Sequence, residues 1–229
     1  MNTNMHLNPV ELVTYARSRA ALYSAAALHF NVVVDGQFID TIRSEQFKQM
    51  LETIGDGEES EDLLTLGAVL MAVFIEKTRS EDRQQLADRL GAERTRLYRG
   101  LSAQHEPPPY EALWSANKEE APLLRDLTDT YREAGVALDA AHPERADYLG
   151  VELDFMRVLA EQEGVAWENN REDQAALLFE AQQQFFNEHL ASWVPDYAAT
   201  VSNAAQSDFY RAQLRMLEGL MRMEQETFA

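Results

Sequence analysis

His142-Pro-Glu-Arg-Ala-Asp147-Tyr-Leu-Gly150-Val-Glu152-Leu-Asp-Phe155-Met156-Arg-Val-Leu159 is the stretch on which the fold turns. Pro143 suits the first turn of a helix, where a missing N–H costs nothing. Glu144 and Asp147 then bring negative charge to that turn, where the helix dipole favours it. Apolar residues recur at Tyr148, Leu149, Val151, Leu153, Phe155, Met156, Val158 and Leu159. That is too broad for one stripe, so the spacing predicts a helix buried on more than one side. Gly150 would let a neighbouring segment approach closely. On pattern alone this is the central helix of a bundle.

The rest of the chain agrees. Asn8-Pro9-Val10-Glu11 has the makings of a capping box and predicts a helix running to about His29. Asp35-Gly36 sits between β-branched and apolar residues and in isolation would signal a hairpin. A lone hairpin among helices is marginal, so this segment is expected to be a loop entering a short helix. Ser44, Ser60 and Ser80 each precede apolar residues at helical spacing and are expected to start three helices. Pro107, Pro108 and Pro109 then forbid helix and favour an extended segment. Helices are expected again over 121–135, 143–162, 171–190, 198–205 and 208–226. The fold class is therefore all-α, with about nine or ten helices in one domain.

Composition limits the function. The chain has 229 residues, 45% of them hydrophobic, enough for a real core. Its ten glycines and seven prolines fall at punctuation points. With no cysteine, it has neither a thiol nucleophile nor a thiolate metal site. A net charge of −19 repels phosphate backbones and anionic membranes, and favours a basic partner. Met1 to Pro9 lacks the basic and apolar pattern of a signal peptide. Apolar runs such as Leu63 to Ile75 are too short to span a bilayer, so no stable membrane insertion is expected. The sequence contains no phosphate-binding glycine loop, no His-Glu-x-x-His and no Glu-x-x-His pair. His189, beside Phe185 and Phe186, is expected to be a packed structural histidine. Glu144, Asp147, Glu152 and Asp154 could hold a metal, but a solvated helix end with one buried acidic anchor is the simpler reading.

Three segments carry a resemblance. Asp147-Tyr148-Leu149 with Glu152-Leu153-Asp154-Phe155-Met156 resembles the Asp-His-Leu and Glu-Leu-x-Phe-Met pattern of the TorD/DmsD family of molybdoenzyme maturation chaperones. Tyr148 stands where the family usually has His. Arg96-Leu97-Tyr98-Arg99-Gly100-Leu101 followed by Pro107-Pro108-Pro109-Tyr110-Glu111 resembles a second family segment, with Tyr98 for Phe and Ala112 for Ser. His189-Leu190-Ala-Ser-Trp193 followed by Phe209-Tyr210 resembles a third. The three occur in the family's order across roughly Glu93 to Glu224. The first ninety residues match only in helical character.

The resemblance implies a cytoplasmic chaperone, not an enzyme. It implies one all-helical domain over 1–229, with an N-terminal lobe to about 138 and a C-terminal lobe from about 143. Its partners would be the apo form of a molybdenum-cofactor oxidoreductase of the dimethylsulfoxide-reductase class and that enzyme's twin-arginine signal peptide. Carried over residue by residue, the peptide-binding positions are Leu97, Tyr98, Pro109, Tyr110, Asp147 and Tyr148, expected to meet in one groove. No catalytic residue, metal ligand or cofactor is implied. Relatives form domain-swapped dimers, and the connection Leu138 to Pro143 is a hinge of that kind, so a monomer with a minor swapped dimer is expected. Two alternatives stay open: a nitrate-reductase-type assembly chaperone for a non-exported subunit, and a helical metal-dependent enzyme.

Overall fold

The computed structural model describes residues 8–55, 62–101, 106–116, 118–137 and 144–229. Among these residues every regular element is helical, as the periodicity predicts. The helices are α1 (Pro9–Asn31), α2 (Gly36–Ile42), α3 (Glu45–Gly55), α4 (Leu63–Lys77), α5 (Arg83–Tyr98) and α6 (Glu111–Trp114). They continue with α7 (Glu120–Glu133), α8 (Leu149–Glu168), α9 (Glu172–Phe185), a π-helical turn (Phe186–Leu190), α10 (Val194–Ala204) and α11 (Asp208–Thr227). The helix beyond the expected ten is α6, a single turn too short to leave a periodic signal.

Side-chain caps explain most boundaries. Asn8 Oδ1 accepts from the Val10 and Glu11 amides, and Glu11 Oε2 accepts from the Asn8 amide at 2.7 Å, completing the capping box. Asp35 caps α2 by accepting from the Phe38 amide, so Asp35-Gly36 opens a helix and makes no hairpin. Ser44 Oγ accepts from the Phe47 amide at the start of α3. Of the other two serine starts, the one at Ser80 is corrected. Ser60 lies outside the described residues, and α4 begins after Asp62. Asp82, not Ser80, caps α5, because its carboxylate takes both the Gln84 and Gln85 amides. Helix α5 ends at Gly100 (φ +68°), where the Leu101 amide reaches back to the Arg96 carbonyl. That is a Schellman closure, and it leaves Leu101 exposed beyond the helix.

The central helix is also corrected. It starts at Leu149, six residues after Pro143, and continues to Glu168. Pro143 itself lies outside the described residues. Residues 144–148 are held out of the helix by other bonds. The Tyr148 amide donates to the Arg145 carbonyl, and the Asp147 carbonyl accepts from the Glu111 amide. Backbone groups committed in this way cannot also form a helical turn. Glu152 is thus the acidic residue of the first turn.

The chain forms two compact units that interleave along the sequence. Their boundaries fall after Asn31, Pro109, Trp193 and Arg222. The first unit comprises Met1–Asn31, Tyr110–Trp193 and Met223–Ala229. Helix α8 is its centre, packed against α1 and α9. A Cβ on Gly150 would lie 2.8 Å from Phe30 Cβ, so only glycine permits this approach of α1 and α8. Asn31 Nδ2 closes the contact by donating to the Gly150 carbonyl. Tyr131, Phe155 and Phe185 form an aromatic core, with ring centroids 4.7 Å apart in two of the pairs.

The second unit comprises Val32–Pro109 and Val194–Arg222. Phe38 and Phe74 pack against Phe209, and Tyr98 meets Tyr210 edge to face. Here α4 and α11 touch through Gly67, beside Met216, and Gly219, beside Leu64. Glu93 accepts from the Gln206 and Ser207 amides and so caps the start of α11 from the side of α5. No helix among the described residues is long and apolar enough to cross a membrane.

Candidate functional site: a carboxylate and aromatic seat in the first unit

Three of the six predicted positions come together where two non-helical segments cross. Tyr110 and Tyr148 form an isolated antiparallel bridge, and their rings lie 5.3 Å apart. Tyr148 is buried. Its hydroxyl donates to the Phe30 carbonyl at 3.0 Å, and its ring stands edge-on to Phe30. The tyrosine at the family's histidine position is therefore a packing and hydrogen-bonding residue here.

Asp147 is fully buried, and its carboxylate is well provided with donors. The Ala112 amide donates to Oδ2 at 3.3 Å. Arg145 forks onto both oxygens, Nε to Oδ1 at 2.9 Å and Nη2 to Oδ2 at 2.8 Å. The same guanidinium lies 5.0 Å above the Tyr110 ring, and its remaining nitrogen meets Glu120 at 2.6 Å. The half-buried Tyr110 donates its hydroxyl to Glu144 at 3.2 Å. A buried carboxylate is tolerated only when paired, and a bidentate guanidinium is its strongest partner. The pairing with Asp147 raises the pKa of Arg145 further, so it stays charged.

A second group of charges lies within the same unit. Glu111 is fully buried and accepts from Lys118 Nζ at 2.5 Å. Its other oxygen is 3.0 Å from His189 Nδ1. The π-helical turn carries His189 to that position, and the Ala191 amide closes the wide turn on the Phe186 carbonyl. Lys118 also donates to the Glu188 carbonyl. Glu152 is fully buried, and no described donor reaches either of its oxygens. Burial, then the charges of Glu111 and Asp147, hold its carboxyl well above the usual carboxylate range, against a smaller pull from Lys118. Glu152 is therefore held as a neutral acid beside the charges of Glu111 and Asp147. Burial, then Glu152 and Glu111, push the Tyr131 hydroxyl up as well, and it donates to the Ala146 carbonyl.

Leu97, Tyr98 and Pro109 belong to the second unit and are buried there. Tyr98 donates its hydroxyl to Gln213 at 3.0 Å. Gly100 backs onto the proline segment, where a Cβ would meet Pro108 Cδ at 3.4 Å.

No local signal marks Arg145, Glu120 or Lys118 as parts of this arrangement. Their roles depend on contacts between separate segments. Glu111 and His189 had been quoted within motifs, and only the fold shows that they pair. Chemically, the arrangement is a buried anion and an aromatic face that together hold the Arg145 guanidinium. Among the described residues no group of three His, Asp or Glu side chains stands in metal-ligand geometry.

Comparison with known proteins gives a consistent picture. A protein from Shewanella pealeana named chaperone protein TorD is 23% identical over 232 residues, covering 97% of this chain and 92% of that protein. One of the same name from Vibrio parahaemolyticus is 22% identical over 220 residues, covering 93% and 96%. A perchlorate reductase assembly chaperone protein from Dechloromonas aromatica is 28% identical over 109 residues, 48% of each chain. These relatives are named as chaperones, which are assembly proteins and not enzymes. No solved structure matches. The family model described as nitrate reductase delta subunit matches residues 56–199, more than half of the sequence, and the chain belongs to that family.

Proposed function

We propose that the chain is a cytoplasmic maturation chaperone for a molybdenum-cofactor oxidoreductase of the dimethylsulfoxide-reductase class. It binds the enzyme's twin-arginine signal peptide and apo form, and releases them for export once the cofactor is inserted. The relatives named as chaperones support the general role. The observation that carries the peptide half of the reading is the seat at Tyr110 and Asp147, which joins an aromatic face to a buried carboxylate. A twin-arginine peptide offers two guanidinium groups and an apolar stretch, which this chemistry suits. The chain's acidity would speed encounter with a cationic peptide.

Leu97, Tyr98, Pro109, Tyr110, Asp147 and Tyr148 are the proposed peptide-binding set. Tyr110 is half-buried. Asp147 is buried and would supply the carboxylate of the seat, while Leu97, Tyr98, Pro109 and Tyr148 are buried and would hold the binding segments in place. We also propose a monomer that forms a minor domain-swapped dimer. The 138–143 connection lies outside the described residues, and size-exclusion chromatography across concentrations tests this point.

Affinity capture tests the reading. The tagged chain should retain the apo-oxidoreductase from cells starved of molybdenum cofactor, and changing the two signal arginines to lysines should abolish capture. Equal capture of the cofactor-loaded enzyme would overturn the chaperone role. The match to a nitrate reductase delta subunit model favours a second reading, in which the client subunit is not exported. A captured client without twin arginines would establish that reading instead.

A further inference from the structure

In the free protein, the proposed arginine seat is already filled by one of the chain's own residues. Arg145 makes the contacts that a ligand guanidinium would make: the fork onto Asp147, the cation–π contact with Tyr110 and the ion pair with Glu120. The walls of the seat do not depend on Arg145's side chain. Its backbone frame is fixed by the Glu111 amide on the Asp147 carbonyl and by the Tyr110–Tyr148 bridge. The Arg145 side chain is 39% exposed and that of Glu120 59%, so the guanidinium can leave into water without opening the core. Asp147 cannot be left bare once it does, since an unpaired buried carboxylate is costly. A second guanidinium restores the fork, whereas an ammonium offers no fork.

We propose that Arg145 is a self-ligand that occupies a guanidinium seat in the free chaperone and is exchanged for an arginine of the client peptide. This rests on the function proposed above, and it adds a competitor that sets both affinity and selectivity. Only the fraction of molecules with Arg145 displaced can bind, so apparent affinity falls by that fraction. Exchange of like for like also explains why arginine would be preferred to lysine. With Arg145 gone, Glu120 and Glu144 at the rim would face the second arginine of the pair.

Two measurements on the full chain test the inference. Methylguanidinium, at millimolar concentration, should raise the melting temperature of Arg145→Ala by about 2–4 °C by filling the vacated seat. It should not raise that of the wild type or of the Arg145→Ala/Asp147→Asn double variant. No rise in Arg145→Ala, or an equal rise in all three proteins, overturns the seat. In calorimetric titration, a twin-arginine peptide should bind Arg145→Ala about tenfold more tightly than wild type. Equal or weaker binding overturns the exchange. Should Arg145→Ala fail to fold, Arg145→Lys replaces it in both measurements, since it loses the fork but keeps the charge, and the same outcomes decide. If no twin-arginine peptide binds any of these proteins, the proposed function fails, while the methylguanidinium result still decides whether the seat exists.

Discussion

Glu152 and Glu111 are both fully buried in the first unit, and burial together with the charge of Glu111 holds the Glu152 carboxyl well above the usual carboxylate range. Keeping Glu152 protonated avoids a second buried charge in that unit. The folded pKa of Glu152 is raised above its ordinary value of 4.5, so the folded state holds a proton that the unfolded state releases. Stability from this group is complete below that ordinary value and declines as pH rises toward the folded pKa, by at most about 1.4 kcal/mol per pH unit. Glu152→Gln keeps a neutral polar side chain at this position and should remove this decline. Thermal melts from about pH 5 to about pH 8 should show a flatter profile for the variant than for wild type. Glu163 is also raised by burial and has the same sign, but it contributes to both proteins and cancels in the comparison. Parallel profiles would show that Glu152 is ionised in the fold.

Arg19 should be far less replaceable than the exposed arginines. It forks onto Glu224 at 2.8 and 2.6 Å, reaches Glu163 at 3.4 Å, and lies over the Phe228 ring. Tyr23 donates to the same Glu224 oxygen, and all four polar groups are buried. Arg19→Met leaves Glu224 uncompensated and should cost about 3–5 kcal/mol in denaturant unfolding. Arg79→Met, at a mostly exposed ion pair, should cost less than about 1 kcal/mol. Similar losses in the two would contradict the buried network.

Gly219→Ala should destabilise the second unit although alanine is the better helix former. A Cβ there would lie 2.2 Å from the Leu64 amide nitrogen, which is backbone and cannot swing aside. The gain in helix propensity is about 1 kcal/mol, while overpacking costs about 1–3 kcal/mol and more where backbone must move. The net effect is a lower melting temperature by calorimetry. An unchanged or higher value would mean that α4 and α11 are not in contact at this point.

The helical fold was legible because its signals are local. Asn8 and Glu11, Asp35, and the positive-φ Gly100 mark ends through neighbours a few residues away. Gly150 was legible as a point of close approach, though not which helix it meets. The start of α8 was misread at Pro143 because Asp147 and Tyr148 pair with 110–112, some 35 residues distant, and no periodicity records such pairing. For the same reason no sequence signal marks Arg145. Its neighbour in sequence was already the proposed anchor, but its other partners, Tyr110 and Glu120, lie on other segments. Asp147 itself was readable as a buried acidic anchor, because a carboxylate just ahead of an apolar run must be either a cap or a paired charge.

Calorimetric titration of a twin-arginine signal peptide into wild type, Asp147→Asn and Tyr110→Ala tests the account most directly. Both variants should keep the wild-type circular dichroism spectrum. Asp147→Asn should weaken binding by about 1–3 kcal/mol, the range for losing a charge-assisted hydrogen bond. Tyr110→Ala should weaken it through lost aromatic contact, with less dependence on salt. Unchanged peptide affinity in a folded Asp147→Asn protein would contradict the proposed anchor.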